Sequence, residues 1–146
     1  MVLPTRSPDM IAVVAYRPAH FDGVKALWEE TFPDYASYNH AERAIPAKLS
    51  EQPELFFVAE EDGTVVGTIM AGYDGHRGWL YAVAVKATHR QRGIGAALVR
   101  TAEAALEARG CVKINLQVLE TNAGVIGFYE RLGYAVEPRV SMGKRC

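Results

Sequence analysis

The chain has 146 residues, 49% of them hydrophobic and 23% charged, which fits one ordinary globular domain and excludes collagen-like, disordered and disulfide-rich scaffolds. Sixteen Lys plus Arg against seventeen Asp plus Glu leave a formal charge of -1, so no overall positive field exists to hold DNA or RNA, and nucleic acid is not an expected partner. No stretch approaches the ~20 apolar residues that span a bilayer, and two cysteines, Cys111 and Cys146, are too few for a disulfide framework.

The first nine residues lack the charged-then-apolar order of a signal peptide and read as a flexible lead before a single domain over 10–146. With reduced cysteines and no membrane segment, the expected compartment is the cytoplasm. Residues 11–16 are a strand candidate closed by Arg17-Pro18. The apolar spacing then becomes helical through Phe21, Val24, Leu27 and Trp28, and Pro33 ends that helix. A second helix is expected over 39–49, with Glu51-Gln52-Pro53 as its exit.

Residues 55–60 and 64–71 read as two strands joined at Glu61-Asp62-Gly63. Asp-Gly accepts the positive φ of a type I′ turn, so the pair is expected to be an antiparallel hairpin. A glycine-rich connection, 72–78, leads to a strand over 79–85. Residues 94–109 form an apolar helical stripe with Gly110 as C-cap. A strand is expected over 112–119, a helix opened by Thr121 and Asn122 and closed at Gly133, and short strands at 134–136 and 140–143 around Pro138. The pattern is α/β (α+β): a mixed, mainly antiparallel sheet with helices on both faces.

Chemistry concentrates at Arg90-Gln91-Arg92-Gly93-Ile94-Gly95, between a strand and a helix. Unpaired N–H groups in the first helical turn and the positive end of the helix dipole make an anion site. Gly93 and Gly95 remove Cβ atoms that would keep a phosphate away, and Arg90 and Arg92 offer charge-assisted bonds. It is not a nicotinamide-dinucleotide fingerprint, because Gln117 and Val118 stand where the acidic residue is required, and no Gly-Lys-Ser/Thr follows. A diphosphate site and a structural turn are the two readings of this loop.

Asn122 and Tyr129 lie seven residues apart, about two helical turns, hence on nearly one face. A phenol there serves either as a proton donor or as a packed core ring. His76, with Asp74 two residues earlier, and Glu120 are candidate proton acceptors, and Tyr81 lies on the neighbouring strand. Asp74 and His76 also read as a solvent turn, and Glu120 as a helix-start carboxylate. His20, His40 and His89 show no metal-ligand spacing, so no metal site is expected.

The C-terminal half resembles the GNAT superfamily of N-acetyltransferases. Residues 90–95 are similar to its Arg/Gln-x-x-Gly-x-Gly/Ala signature, and Asn122-Ala123-Gly124-Val125-Ile126-Gly127-Phe128-Tyr129-Glu130-Arg131-Leu132-Gly133-Tyr134 to its Asn-x6-Tyr-Glu-x-Leu-Gly segment. A narrower likeness, to the YpeA-like bacterial acetyltransferases, rests on Ala71-Gly72-Tyr73-Asp74-Gly75-His76-Arg77-Gly78 and Ser141-Met142-Gly143-Lys144-Arg145.

The resemblance implies a sheet splayed around an acetyl-CoA cleft. In it, backbone near Val83 and Val85 pairs with the pantetheine arm, amides from Gln91 to Gly95 hold the pyrophosphate, Asn122 contacts the cofactor and Tyr129 protonates the departing CoA sulfur. It implies direct attack by an amine, on a small molecule or on a protein or peptide. A catalytically silent acyl-CoA-binding module is the alternative. Gln117 replaces a glutamate used by relatives that acetylate ribosomal-protein N-termini, and Lys86-Ala87 replaces a frequent proline, which leaves the acceptor open. A homodimer through a sheet edge or helix face is compatible with the sequence.

Overall fold

The computed structural model describes residues 11–146, and the expected lead at 1–9 lies outside the described residues. In chain order the elements are β1 (Ala12–Ala15), α1 (Phe21–Thr31), α2 (Ala41–Ser50), β2 (Phe56–Glu61), β3 (Thr64–Tyr73), β4 (Gly78–Val85), α3 (Ile94–Ala108), β5 (Ile114–Leu116) and α4 (Ala123–Arg131). Short 3-10 turns at Pro18–His20, Ser37–Asn39, Pro53–Leu55 and Ala87–His89 join them. Among the described residues, no helix is long and apolar enough to cross a membrane.

The strands form one sheet in the order β1-β2-β3-β4-β5, antiparallel except for the β4–β5 pair. Asp62 at φ 52 and Gly63 at φ 78 form the expected left-handed pair at the β2–β3 turn. Ala59 and Glu60 of β2 pair with Gly67 and Val65, so β3 carries an extra residue there that shifts its alternation, and Phe56, Val58, Val65 and Met70 lie on one face, where Val24, Leu27 and Trp28 of α1 and Ile45 of α2 cover them. Ala59, Val66, Ile69 and Leu80 point to the other face, beneath Leu98, Val99, Ala102 and Leu106 of α3. A Cβ on Gly67 would lie 2.9 Å from Leu98 Cδ1, so the missing side chain lets α3 sit on β3.

Two further irregularities shape the sheet around β4. Thr68 and Met70 of β3 pair with Ala84 and Tyr81, so β4 carries one extra residue, and Ala82 there has φ 50. This bulge turns the alternation over: Leu80, Val83 and Val85 belong to the α3 side, whereas Ala82 and Ala84 face α1. Thr68, fully buried, secures it by accepting from Trp28 Nε1 at 2.8 Å and donating to the Ala82 carbonyl at 2.9 Å. The second irregularity is that β5 pairs with β4 only at Gly78, Trp79 and Leu80, after which the strands part.

The C-terminal region corrects two expectations. The strand expected over 112–119 is only Ile114–Leu116, because its one neighbour leaves it after three residues. The strands expected at 134–136 and 140–143 do not form. Pro138 has no N–H to give a ladder, and side chains tie the tail to β5 instead: Lys113 Nζ and Asn115 Nδ2 donate to Glu137 at 2.7 and 2.8 Å, and Gln117 donates to Ser141.

Replacing Thr68 by Val keeps the shape but leaves the Trp28 indole N–H and the Ala82 carbonyl without their partner. The expected loss is about 2 kcal/mol, read as a lower urea midpoint at unchanged slope, with Thr68→Ser retaining most of the stability. A Thr68→Val loss below about 0.5 kcal/mol would show that the hydroxyl does not hold the bulge.

Candidate active site

The loop from Ala87 to Gly93 changes backbone hand twice, with Gln91 at φ 62 and Gly93 at φ 78. For glutamine such a φ costs about 1–2 kcal/mol, so its surroundings must enforce it. Gly93 is the N-cap of α3, and no side chain caps that end; the Ala97 amide bonds the Gly93 carbonyl at 3.0 Å. The amides ahead of Ala97, those of Ile94, Gly95 and Ala96, are donors that a helix cannot satisfy internally. Nothing lies within 4 Å of the Cβ position of Gly93, and Arg90, Gln91 and Gly93 are exposed, so this end faces open space.

The two glycines of the loop serve different ends. Gly93 takes the left-handed conformation, which glycine adopts at no steric cost. Gly95 answers to packing, because a Cβ there would stand 3.1 Å from Phe128 Cζ of α4. The arginines also separate: Arg90 is exposed, with Nε 3.4 Å from the Val85 carbonyl, whereas Arg92 Nη2 donates to Glu61 Oε2 at 2.8 Å. His89 Nε2 stands 3.0 Å from the other Glu61 oxygen.

Residues 81–85, including Val83 and Val85, have no β5 neighbour, so the cleft side of β4 is open where the loop begins. Asn122 is the N-cap of α4, its Oδ1 accepting from the Val125 amide at 3.3 Å. Tyr129 is 7% exposed, edge-on to Phe128 and Tyr134 with ring centroids 4.9 and 5.7 Å away. Burial, with a smaller contribution from Tyr35, pushes its phenol up to about 12.

Tyr129 and Glu120 line one broad groove of about 1840 Å³ beside β5 and the C-terminal tail. Asp74 lines an adjoining cavity of about 520 Å³, which shares Tyr35, Asn39 and Trp79 with that groove and is walled also by Trp28, Lys48 and Tyr81, with Ala82 of the bulge in its lining. Asp74 does not orient the His76 ring. Its oxygens accept from the backbone N–H groups of Arg77 and His76 at 2.6 and 2.7 Å and from the Trp79 indole, which hold its carboxyl below the usual range. His76 is exposed and lines neither cavity, and Glu120 is exposed.

Sequence reasoning missed Lys48 and Glu61. Lys48 is 6% exposed, donates to the Ala71 carbonyl and lies 5.5 Å from the Tyr81 ring centroid; burial pulls its pKa down to about 8. Its position in the helical stripe, between Ala41 and Ile45 and the exposed end of α2, was the one available signal. Gln52 bonds both the N–H and the carbonyl of Tyr73, at 2.9 and 2.8 Å. Together these two side chains replace the β2 neighbour that the far end of β3 lacks.

Residues 19–134 match the acetyltransferase (GNAT) family. An acetyltransferase of Yersinia pestis (strain Pestoides F) is 46% identical over 125 residues, spanning 86% of this chain and 88% of the relative. Among solved structures, an aminoglycoside N-acetyltransferase in complex with CoA superposes with a TM-score of 0.79 at 20% identity, over 99% of this chain and 100% of the other. The PaiA N-acetyltransferase of Thermoplasma acidophilum, in complex with coenzyme A, gives 0.77 at 20% identity, over 89% and 92%.

If Gly95 is small for the sake of Phe128, Gly95→Ala should cost about 1 kcal/mol in the wild type and nothing in a Phe128→Leu background. A double-mutant cycle on denaturant midpoints measures this, and equal costs in both backgrounds would disprove the contact. The splayed β4–β5 pair, the uncapped start of α3 and the matches in sequence and fold lead to one identification: the chain belongs to the GNAT family of acetyltransferases.

Proposed function

We propose that the protein transfers an acetyl group from acetyl-CoA to a primary amine by direct attack within a ternary complex. The observation that carries this reading is the uncapped, exposed start of α3 beside the unpaired cleft edge of β4. Donors of the first helical turn suit a diphosphate, and open space over Gly93 leaves room for one. In this role the amides from Gln91 to Gly95 with Ile94 and Arg90 hold the diphosphate, and β4 backbone at Val83 and Val85 pairs with the pantetheine amides. Asn122 keeps its Nδ2 for the cofactor while Oδ1 caps α4. Arg92 acts at one remove, through Glu61.

Acetyl-CoA supplies the activated thioester. The amine nitrogen forms a bond to the thioester carbon and the carbon–sulfur bond breaks; the sulfur takes its proton from Tyr129, and the proton shed by the attacking nitrogen passes through water to restore the phenol. A phenol raised to about 12 remains protonated at neutral pH, as a donor must. Before attack the ammonium gives up a proton. In this reading Glu120, which lines the same groove as Tyr129, relays it through water. Asp74 is a poor proton acceptor because its carboxylate form is stabilised, and it suits charge pairing with the incoming ammonium. His76 at the solvent-facing turn is left as a remote relay.

For the acceptor, the 520 Å³ cavity has the size of a small-molecule site and reaches the β4 bulge. Its indole and phenol rings, with the carboxylates of Asp74 and Glu51, fit a cationic amine on a small molecule or a peptide.

Thiol release from acetyl-CoA with a panel of amines tests the reading. Tyr129→Phe should lower kcat about 100-fold with little change in KM for acetyl-CoA. The wild-type rate should show no alkaline loss from Tyr129 until pH nears 12, because its donor form persists below that value. CoA binding without release to any amine, and no effect of Tyr129→Phe, would replace the enzyme by a silent binding module.

A further inference from the structure

We infer that Glu61 is a positioning residue for the diphosphate loop: it clasps the loop on both sides of Gln91 and holds the amides in the form that receives the cofactor. The inference rests on the reading of residues 90–95 as the diphosphate site. Glu61 ends β2, beside the β2–β3 turn, and is 28 and 31 residues away in sequence from the two side chains it binds.

Its two oxygens take separate partners. Oε1 faces His89 Nε2 at 3.0 Å and Oε2 accepts from Arg92 Nη2 at 2.8 Å. His89 is itself fixed on its other nitrogen, where Nδ1 meets Thr88 Oγ1 at 2.8 Å. His89 precedes and Arg92 follows Gln91, the non-glycine residue of the loop with a left-handed backbone. A loop that must hold such a conformation in open space relaxes unless something outside it spans the unfavourable residue. The carboxylate does this from the neighbouring hairpin, with side-chain exposures of 25% for Glu61, 25% for Arg92 and 16% for His89. Its bonds to His89 and then Arg92 hold the Glu61 carboxyl below the usual carboxylate range.

Electrostatics alone predicts the opposite of a clasp. A carboxylate near a diphosphate site repels the ligand, so removing its charge should tighten binding. If the geometry of the loop matters more, removing the charge should weaken binding. The sign of one affinity change therefore separates the two.

The test is CoA titrated by calorimetry into wild type and Glu61→Gln, with pantetheine, which lacks the diphosphate, followed by ligand-observed NMR. The expected result is CoA binding weakened about tenfold, with pantetheine binding and melting temperature unchanged. Glu61→Gln that binds CoA equally or more tightly overturns the inference, as does an equal loss for pantetheine. Arg92→Gln provides a second route: in the clasp, Glu61→Gln and Arg92→Gln combined lose no more than Glu61→Gln alone. Additive losses would make Arg92 a direct phosphate ligand and overturn the clasp. A wild type that binds no CoA removes the diphosphate site itself and the inference with it, an outcome distinct from a failure of Glu61 alone.

Discussion

Everything at the candidate site follows from the short partnership of β4 and β5. The strands share three residue pairs, at Gly78, Trp79 and Leu80, and then separate. Gly78 makes the closed end tight, since a Cβ there would stand 2.8 Å from Leu106 Cδ1 and 2.9 Å from Cys111 Sγ. Beyond it, β4 keeps its bonds to β3 and presents its other edge to an opening. An unpaired strand edge inside a sheet is costly unless something pairs with it, and an extended, amide-bearing ligand is a suitable partner.

The bulge at Ala82 and the loop before α3 act on this opening from two directions. The bulge changes which residues face which side, so that Trp79, Tyr81 and Ala82 line the cavity under α1 and α2 while Val83 and Val85 keep their places beneath α3. The loop places the start of α3 at the other end of the same strand. Both features carry a left-handed residue other than glycine, Ala82 in one and Gln91 in the other, and both are held from outside. Thr68 with Trp28 secures the first, and Glu61 spans the second. The two strained points of the cleft thus rest on the β2–β3 hairpin.

Much of this was readable in the sequence where a local signal existed. Asp62 and Gly63 fixed the hairpin through turn chemistry, and the apolar stripe from Ile94 with Gly93 before it marked the helix whose start matters. The seven-residue spacing of Asn122 and Tyr129 placed both on one short helix, as α4 has them, while their roles came only from the family resemblance. The bulge left no such trace, because Tyr81-Ala82-Val83-Ala84-Val85 reads as an even strand and its cause lies at Thr68 and Trp28. Glu61 looked like the edge of a turn, since its partners are distant in sequence. Strand character at 134–136 and 140–143 was misleading because strand propensity needs a neighbour, and side chains around Glu137 supplied the attachment instead.

The opening between β4 and β5 is the feature on which the functional reading stands, and amide NMR on CoA addition tests it most directly. Shifts should concentrate at residues 81–85 and 91–96, with the closed end at Gly78 and Leu80 little changed. Saturable shifts confined to the cavity at Trp28 and Trp79, or to the tail groove, with residues 91–96 unmoved, would mean that the cofactor binds elsewhere.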